Sequence, residues 1–228
     1  MQETSRYSDF YRQSIEAPET FWAAQAEALH WYKRWDKVLQ HSSDTIPQWF
    51  VGGEINACYN CVDRHVEAGH GHDTALIYES PVTNTSRQLT YAQLQDATSK
   101  MGGALHALGV AKGDRVLIYM PNSPEAVIAM LACARVRAIH SVVFGGFAAP
   151  ELASRIDDAE PKVVLAASCG VEGAKVLPYQ PILRDAYQIA RHSPAATVYW
   201  QRAEQIFDIS ADSDHDWVEL VKSAEAAN

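Results

Sequence analysis

Nowhere in the 228 residues does an apolar run reach the roughly 20 residues that a bilayer crossing needs. The longest, around Ala126–Ala134, is short and lies inside a helical pattern, so the chain is expected to be soluble, with no membrane partner. The opening stretch MQETSRYSDFYRQ lacks the basic region and apolar block of a secretory signal. Positive charge is also scarce: 19 Lys and Arg stand against 28 Asp and Glu, giving a net charge of −9. Without a basic cluster, nucleic acid and anionic membranes are poor partners, and a small-molecule role fits better. Cysteine is rare, with four in the chain, and Cys133 and Cys169 sit inside apolar runs. That usage predicts free thiols in a reducing compartment, the cytoplasm, rather than a disulfide framework. Internal repeats and low-complexity tracts are missing as well, and only the final SAEAAN reads as a frayed end.

What the chain does have is apolar content, 47% of residues, ample for a buried core. Its texture changes near residue 70, which suggests an amino-terminal unit over 1–70 and a main body over 71–228. The first part is dense in aromatics: Tyr7, Phe10, Tyr11, Phe21, Trp22, Trp31, Tyr32, Trp35, Trp49 and Phe50. Interleaved Lys and Arg are too few for a base-stacking platform, so these rings are expected to pack against the main body. Pro18 followed by Glu19–Leu39 predicts one helix, with Phe21, Ala24, Ala28, Trp31, Trp35 and Leu39 along a single face.

From Ala75 the pattern is regular. A short strand, Ala75–Tyr78, precedes a polar, hairpin-like loop at Ser80–Arg87. Thr90 with Gln93 three residues later forms a capping box, opening a helix that carries Leu94, Ala97, Met101, Leu105 and Leu108 on one side and stops at Gly109. Strand Arg115–Tyr119 leads to Ser123-Pro124-Glu125, an N-cap followed by proline and an acid in the first turn, and so to helix Pro124–Val136. Strand Ala138–Phe144, helix Pro150–Asp157, strand Lys162–Ala167, helix Pro181–Arg191 and strand Thr197–Trp200 complete the alternation. Such alternation specifies an α/β fold, a doubly wound and mainly parallel sheet with helices on both faces, preceded here by the helical, aromatic-rich unit.

The run from Met120 through Pro121-Asn122-Ser123-Pro124-Glu125 to Arg135, continued by Ile139-His140-Ser141-Val142-Val143-Phe144-Gly145-Gly146-Phe147, closely resembles the AMP-forming acetyl-CoA and propionyl-CoA synthetases. Trp49–Asn56, the Asn60–His65 stretch, and the spacing of Tyr11, Pro18, Phe21, Trp22, Trp31 and Trp35 are similar to that family's amino-terminal signature. Ala167–Glu172 with Val176 and Tyr179 looks closer to the propionate enzymes; of positions 172 and 175, where basic residues are expected in the acetate branch, Glu172 departs from that pattern.

The resemblance implies two half-reactions. A carboxylate attacks ATP to form an acyl-adenylate and pyrophosphate, and the thiol of CoA then displaces AMP. It implies ATP, Mg²⁺ and CoA for the parent enzyme, a short-chain carboxylate as substrate, and the remainder of the synthetase chain as partner. Developing negative charge in both steps calls for a metal ion, a lysine and backbone donors. The Gly-rich phosphate loop ending in lysine that supplies them does not occur here: Gly109–Gly113 reads as a helix stop and Gly170–Lys175 as a strand-to-helix loop. The resemblance therefore implies an adenylate-forming domain lacking its catalytic motifs, inactive by itself, with no catalytic residue assigned.

One site does carry over. Phe144, Gly145 and Gly146 end a parallel strand, where open α/β sheets bind ligands, and in the family these residues line the CoA site. The residues alone equally allow turn glycines with positive φ. Cys58, Cys61, His65, His70 and His72 have the composition of a zinc site, but the first three also fall on one helix face. Asp63 or Arg64 is expected to anchor the amino-terminal segment by hydrogen bonds. His140 reads as a buried histidine bonded to a backbone carbonyl, and no metal site is assigned. Arg137 stands just after a helix where the resemblance implies glycine, which predicts a left-handed or locally altered turn there.

Overall fold

Described by a computed structural model over residues 6–42 and 45–227, the chain divides in space into two units, one ending at Asn56 and the other beginning at Ala57. The division falls ahead of the textural change near residue 70.

In the first unit, α1 spans Arg6–Glu16 and α2 spans Pro18–Ala26, followed by an antiparallel hairpin of β1, Lys37–Ser42, and β2, Thr45–Val51. The single helix expected through Leu39 is therefore not formed. α2 ends at Ala26, whose carbonyl accepts the Trp31 indole N–H at 3.0 Å. Trp31, Trp35 and Phe50 then close a ring cluster with centroids 4.9 to 5.3 Å apart. Continuing the helix would have set the same tryptophans along an uncovered stripe, whereas folding back stacks them on Phe50 and lets the hairpin form. The rings thus find partners within their own unit.

The second unit opens with two π-helical turns, Tyr59–Asp63 and Val66–His70, and an antiparallel hairpin of β3, Thr74–Ser80, with β4, Thr85–Thr90. The capping box at the start of α3, Tyr91–Ala107, is present: Gln93 N donates to Thr90 Oγ1 and Thr90 N to Gln93 Oε1. Then follow β5 (Arg115–Met120), α4 (Pro124–Arg135), β6 (Ile139–Phe144), α5 (Ala149–Ala159) and β7 (Val163–Ala167). A hairpin of β8 (Cys169–Glu172) and β9 (Lys175–Pro178) leads to α6 (Tyr179–Ile189), β10 (Ala196–Trp200), β11 (Asp214–Asp216) and α7 (Trp217–Ser223). The segment Gly170–Lys175 is thus part of an antiparallel hairpin, not a plain loop.

Five of these strands form one parallel sheet in the order β6-β5-β7-β10-β11. α4 leads outward from β5 to β6, and α5 crosses back over β5 to β7. Right-handed crossovers running in opposite directions must lie on opposite faces. α3 and α7 join α4 on one side, and α6 joins α5 on the other. β7 is buried at every residue and β5 at all but Arg115, as strands covered on both faces should be. The order reverses between β5 and β7, so the crevice beyond their carboxyl ends is where this architecture places ligands.

Two helix ends are closed by the same device. After α3, Val110 N reaches the Leu105 carbonyl at 2.9 Å and Gly109 N the His106 carbonyl at 2.8 Å, with Gly109 at φ 78°. After α4, Ala138 N reaches Cys133 O at 2.9 Å and Arg137 N reaches Ala134 O at 3.2 Å, with Arg137 at φ 63°. The expected left-handed residue is there, and an arginine occupies it.

The last described residues are not frayed. Ala227 N donates to Ser99 O at 2.9 Å, Ser99 Oγ donates to Ala227 O, and a β-carbon on Gly103 would overlap the Glu225 carbonyl oxygen. Paired glycines inside a helix, here in the carboxyl-terminal third of α3, weaken it by roughly 1 kcal/mol each relative to alanine, and they open the groove in which this segment lies.

Candidate functional site

Phe144, Gly145 and Gly146 leave the carboxyl end of the edge strand β6, beside the end of β5. Phe144 is 70% exposed and makes an edge-to-face contact with Phe147, centroids 5.8 Å apart. Neither glycine has a positive φ; the reason for glycine is space. A β-carbon at 145 would overlap the Tyr179 hydroxyl, and one at 146 would strike the Phe144 ring. Tyr119, wholly buried in β5, donates its hydroxyl to Phe147 O at 2.9 Å, with Gly145 O at 3.3 Å. Its ring lies 4.4 Å from that of Tyr179. Burial raises both phenols, Tyr179 to about 12, so each stays protonated over the working range.

Also at the carboxyl ends of the strands, a cleft of about 320 Å³ is lined by Tyr78, Arg87, Glu125, Trp200, Arg202 and Glu204 among others. Arg87 Nη1 donates to Glu125 Oε1 at 2.6 Å, while the buried Oε2 has no partner among the described residues. Arg202 donates to the Cys169 carbonyl at 3.0 Å and lies 3.5 Å from Glu204. Sequence reasoning placed Glu125 only as a first-turn acid; its pairing with Arg87 required the β3–β4 hairpin to be in position.

The remaining candidates separate. Cys58 is buried and its thiol is pushed up to about 11, chiefly by desolvation, whereas Cys61 is exposed. Among the described residues no group of three His, Cys, Asp or Glu side chains could hold a metal ion. Asp63 is an anchor, but within the second unit rather than of the amino-terminal unit. Arg135 Nη2 donates to its two oxygens at 2.7 and 2.8 Å and Gln95 Nε2 to Oδ1 at 2.9 Å, binding the π-helical turns to α3 and α4. His140 is not buried: β6 is a sheet edge, and the histidine side chain is exposed there along with Ile139 and Val142. Glu172 and Lys175 face each other across the tip of the β8–β9 hairpin, around Gly173 at φ 58°.

Residues 62–226 match the model of the AMP-binding enzyme family, and residues 7–61 match that of the acetyl-coenzyme A synthetase N-terminus. The chain belongs to the AMP-binding enzymes. It is 48% identical over 222 residues to an uncharacterized protein of Pseudomonas aeruginosa, covering 97% of this chain and 35% of that protein. To the human acyl-CoA synthetase short-chain family member 3, mitochondrial, it is 44% identical over 223 residues, 97% of this chain and 32% of that one. To the propionate–CoA ligase of Salmonella typhimurium it is 46% identical over 188 residues, covering 82% and 30%. The chain thus spans about a third of the length of the curated relatives it matches. An acetoacetyl-CoA synthetase from Streptomyces lividans shares the fold, with a TM-score of 0.84 at 24% identity, over 99% of this chain and 34% of that one.

Proposed function

We propose that this chain is the amino-terminal part of an AMP-forming short-chain acyl-CoA synthetase that activates propionate in preference to acetate. The carboxylate attacks ATP to give an acyl-adenylate and pyrophosphate, and CoA thiol then displaces AMP. The observation that carries the reading is the match of residues 62–226 to the AMP-binding family, joined with 46% identity to a propionate–CoA ligase.

Within that enzyme, Phe144–Gly146 form part of the wall facing CoA. The exposed Phe144 ring offers an apolar surface to the cofactor, and the two glycines present backbone without side chains at the carboxyl end of β6. The sequence has no phosphate loop, so no adenylation step is assigned to these side chains. Four unpaired cysteines suit a reducing compartment, which we take to be the cytoplasm.

Incubation of the chain with ATP, Mg²⁺, propionate and CoA is expected to release AMP and pyrophosphate only at background. Turnover above background would overturn the assignment of chemistry to residues outside it. The protein expressed at the full length of its relatives is expected to show a higher kcat/KM for propionate than for acetate, and the reverse order would overturn the substrate reading.

A further inference from the structure

β6 is an edge strand, with Ile139, Val142 and Phe144 more than half exposed. What fixes the loop that ends it comes from underneath. Tyr119 projects from the neighbouring strand β5 and its hydroxyl donates to Phe147 O at 2.9 Å, beside Gly145 O at 3.3 Å. A buried hydroxyl bonded to a main-chain carbonyl sets the position of that carbonyl without competition from water. Tyr179, the first residue of α6, packs its ring 4.4 Å from Tyr119 and donates its backbone N–H to Ser168 O at 2.9 Å. Its hydroxyl fills the space that a side chain at either Gly145 or Gly170 would need. One phenol therefore touches both the β6 loop and the β8–β9 hairpin that carries Glu172 and Lys175 at its tip.

We propose that Tyr119 and Tyr179 are the positioning residues of the loop Phe144–Phe147: Tyr119 holds its carbonyls, and Tyr179 sets its spacing from the β8–β9 hairpin, so that the two segments face CoA as one rigid surface. This rests on the reading of Phe144–Gly146 as a CoA-facing wall. Neither tyrosine touches the cofactor; both act through backbone. Glycine at 145 and 170 is then a requirement of the Tyr179 hydroxyl rather than of a turn, consistent with neither having a positive φ.

The test is a titration of the isotopically labelled chain with CoA, followed by NMR at the Gly145 and Gly146 amides, on three proteins. These are the parent sequence, Tyr119→Phe and Tyr187→Phe, the last removing a comparable hydroxyl bond, Tyr187 to Thr197 Oγ1 at 2.9 Å, away from the loop. The expected result is that CoA shifts both glycine amides in the parent. Tyr119→Phe should weaken its binding at least about fivefold and speed amide exchange at Phe147, whereas Tyr187→Phe should leave both unchanged. Glycine amides that CoA does not move in the parent would overturn the wall reading and the proposal with it. Movement in the parent with equal affinity in Tyr119→Phe, or with equal weakening in Tyr187→Phe, would overturn the positioning role alone.

Discussion

Arg135 donates from one guanidinium nitrogen to both carboxylate oxygens of Asp63, at 2.7 and 2.8 Å, and the two side chains are only 9% and 11% exposed. The same guanidinium reaches the Ala227 carbonyl at 3.4 Å, so one residue near the end of α4 links the π-helical turns and the terminal segment. A pair this deeply desolvated is strongly destabilising when broken from one side, because the surviving charge is left in a dry site.

Asp63→Ala is accordingly expected to cost about 3–5 kcal/mol in chemical denaturation, and Arg135→Met a similar amount. The double variant should lose clearly less than the sum of the two. Strict additivity would show that the pair is not coupled.

Gly103 supplies a test in which a substitution reverses sign. In the chain as it stands, Gly103→Ala should expel Glu225–Ala227 from its groove, lower stability by about 1 kcal/mol and deprotect the Ala227 amide in hydrogen exchange. With the chain ended at Ser223, the clash is gone and only helix propensity remains. Gly103→Ala should then stabilise by about 0.5–1 kcal/mol. A penalty that persists after truncation would refute the groove as the reason for glycine.

The two helix stops should respond oppositely. Arg137→Gly relieves a side chain held at φ 63° and is expected to stabilise by roughly 0.5–1 kcal/mol, less whatever the arginine charge contributes at the helix end. Gly109→Ala forces a side chain to φ 78° and is expected to destabilise by about 1 kcal/mol. Thermal melts of both variants check the signs.

Thiol chemistry should separate the cysteines. Exposed Cys61 is expected to alkylate first, while Cys133, pushed up to about 12 by burial, and Cys58 should react only as the chain unfolds. Cys58 is raised from 9.0 to about 11, so the unfolded chain releases its proton first as pH rises. Its contribution to stability is therefore complete below about pH 9 and is lost between there and pH 11. Cys58→Ser, whose hydroxyl does not titrate in this window, should flatten that part of the pH profile.

Legibility from sequence followed the range of the interaction. Thr90 with Gln93, Ser123 before Pro124, and Arg137 after α4 are local signals, satisfied within a few residues, and each appears where the sequence placed it. The helix expected through Leu39 failed because Trp31 and Trp35 could satisfy helical spacing or stack on Phe50, and periodicity does not contain the second option. His140 failed because an apolar neighbourhood in sequence cannot say that β6 is the last strand of its sheet.

The sequence by itself determined the alternation of strands and helices and the caps that bound them, because these depend on residue type and near spacing, and its longer motifs carried the resemblance to the family. Tertiary structure alone decided who meets whom at long range: Arg135 with Asp63, Gly103 with Glu225, and Tyr179 against Gly145 and Gly170. Apart from Tyr179 and Gly170, which a hairpin brings together, the partners are far apart along the chain. Gly145 and Gly170 in particular look like turn or loop glycines in sequence, and only the position of an opposing atom shows that they are there to make room.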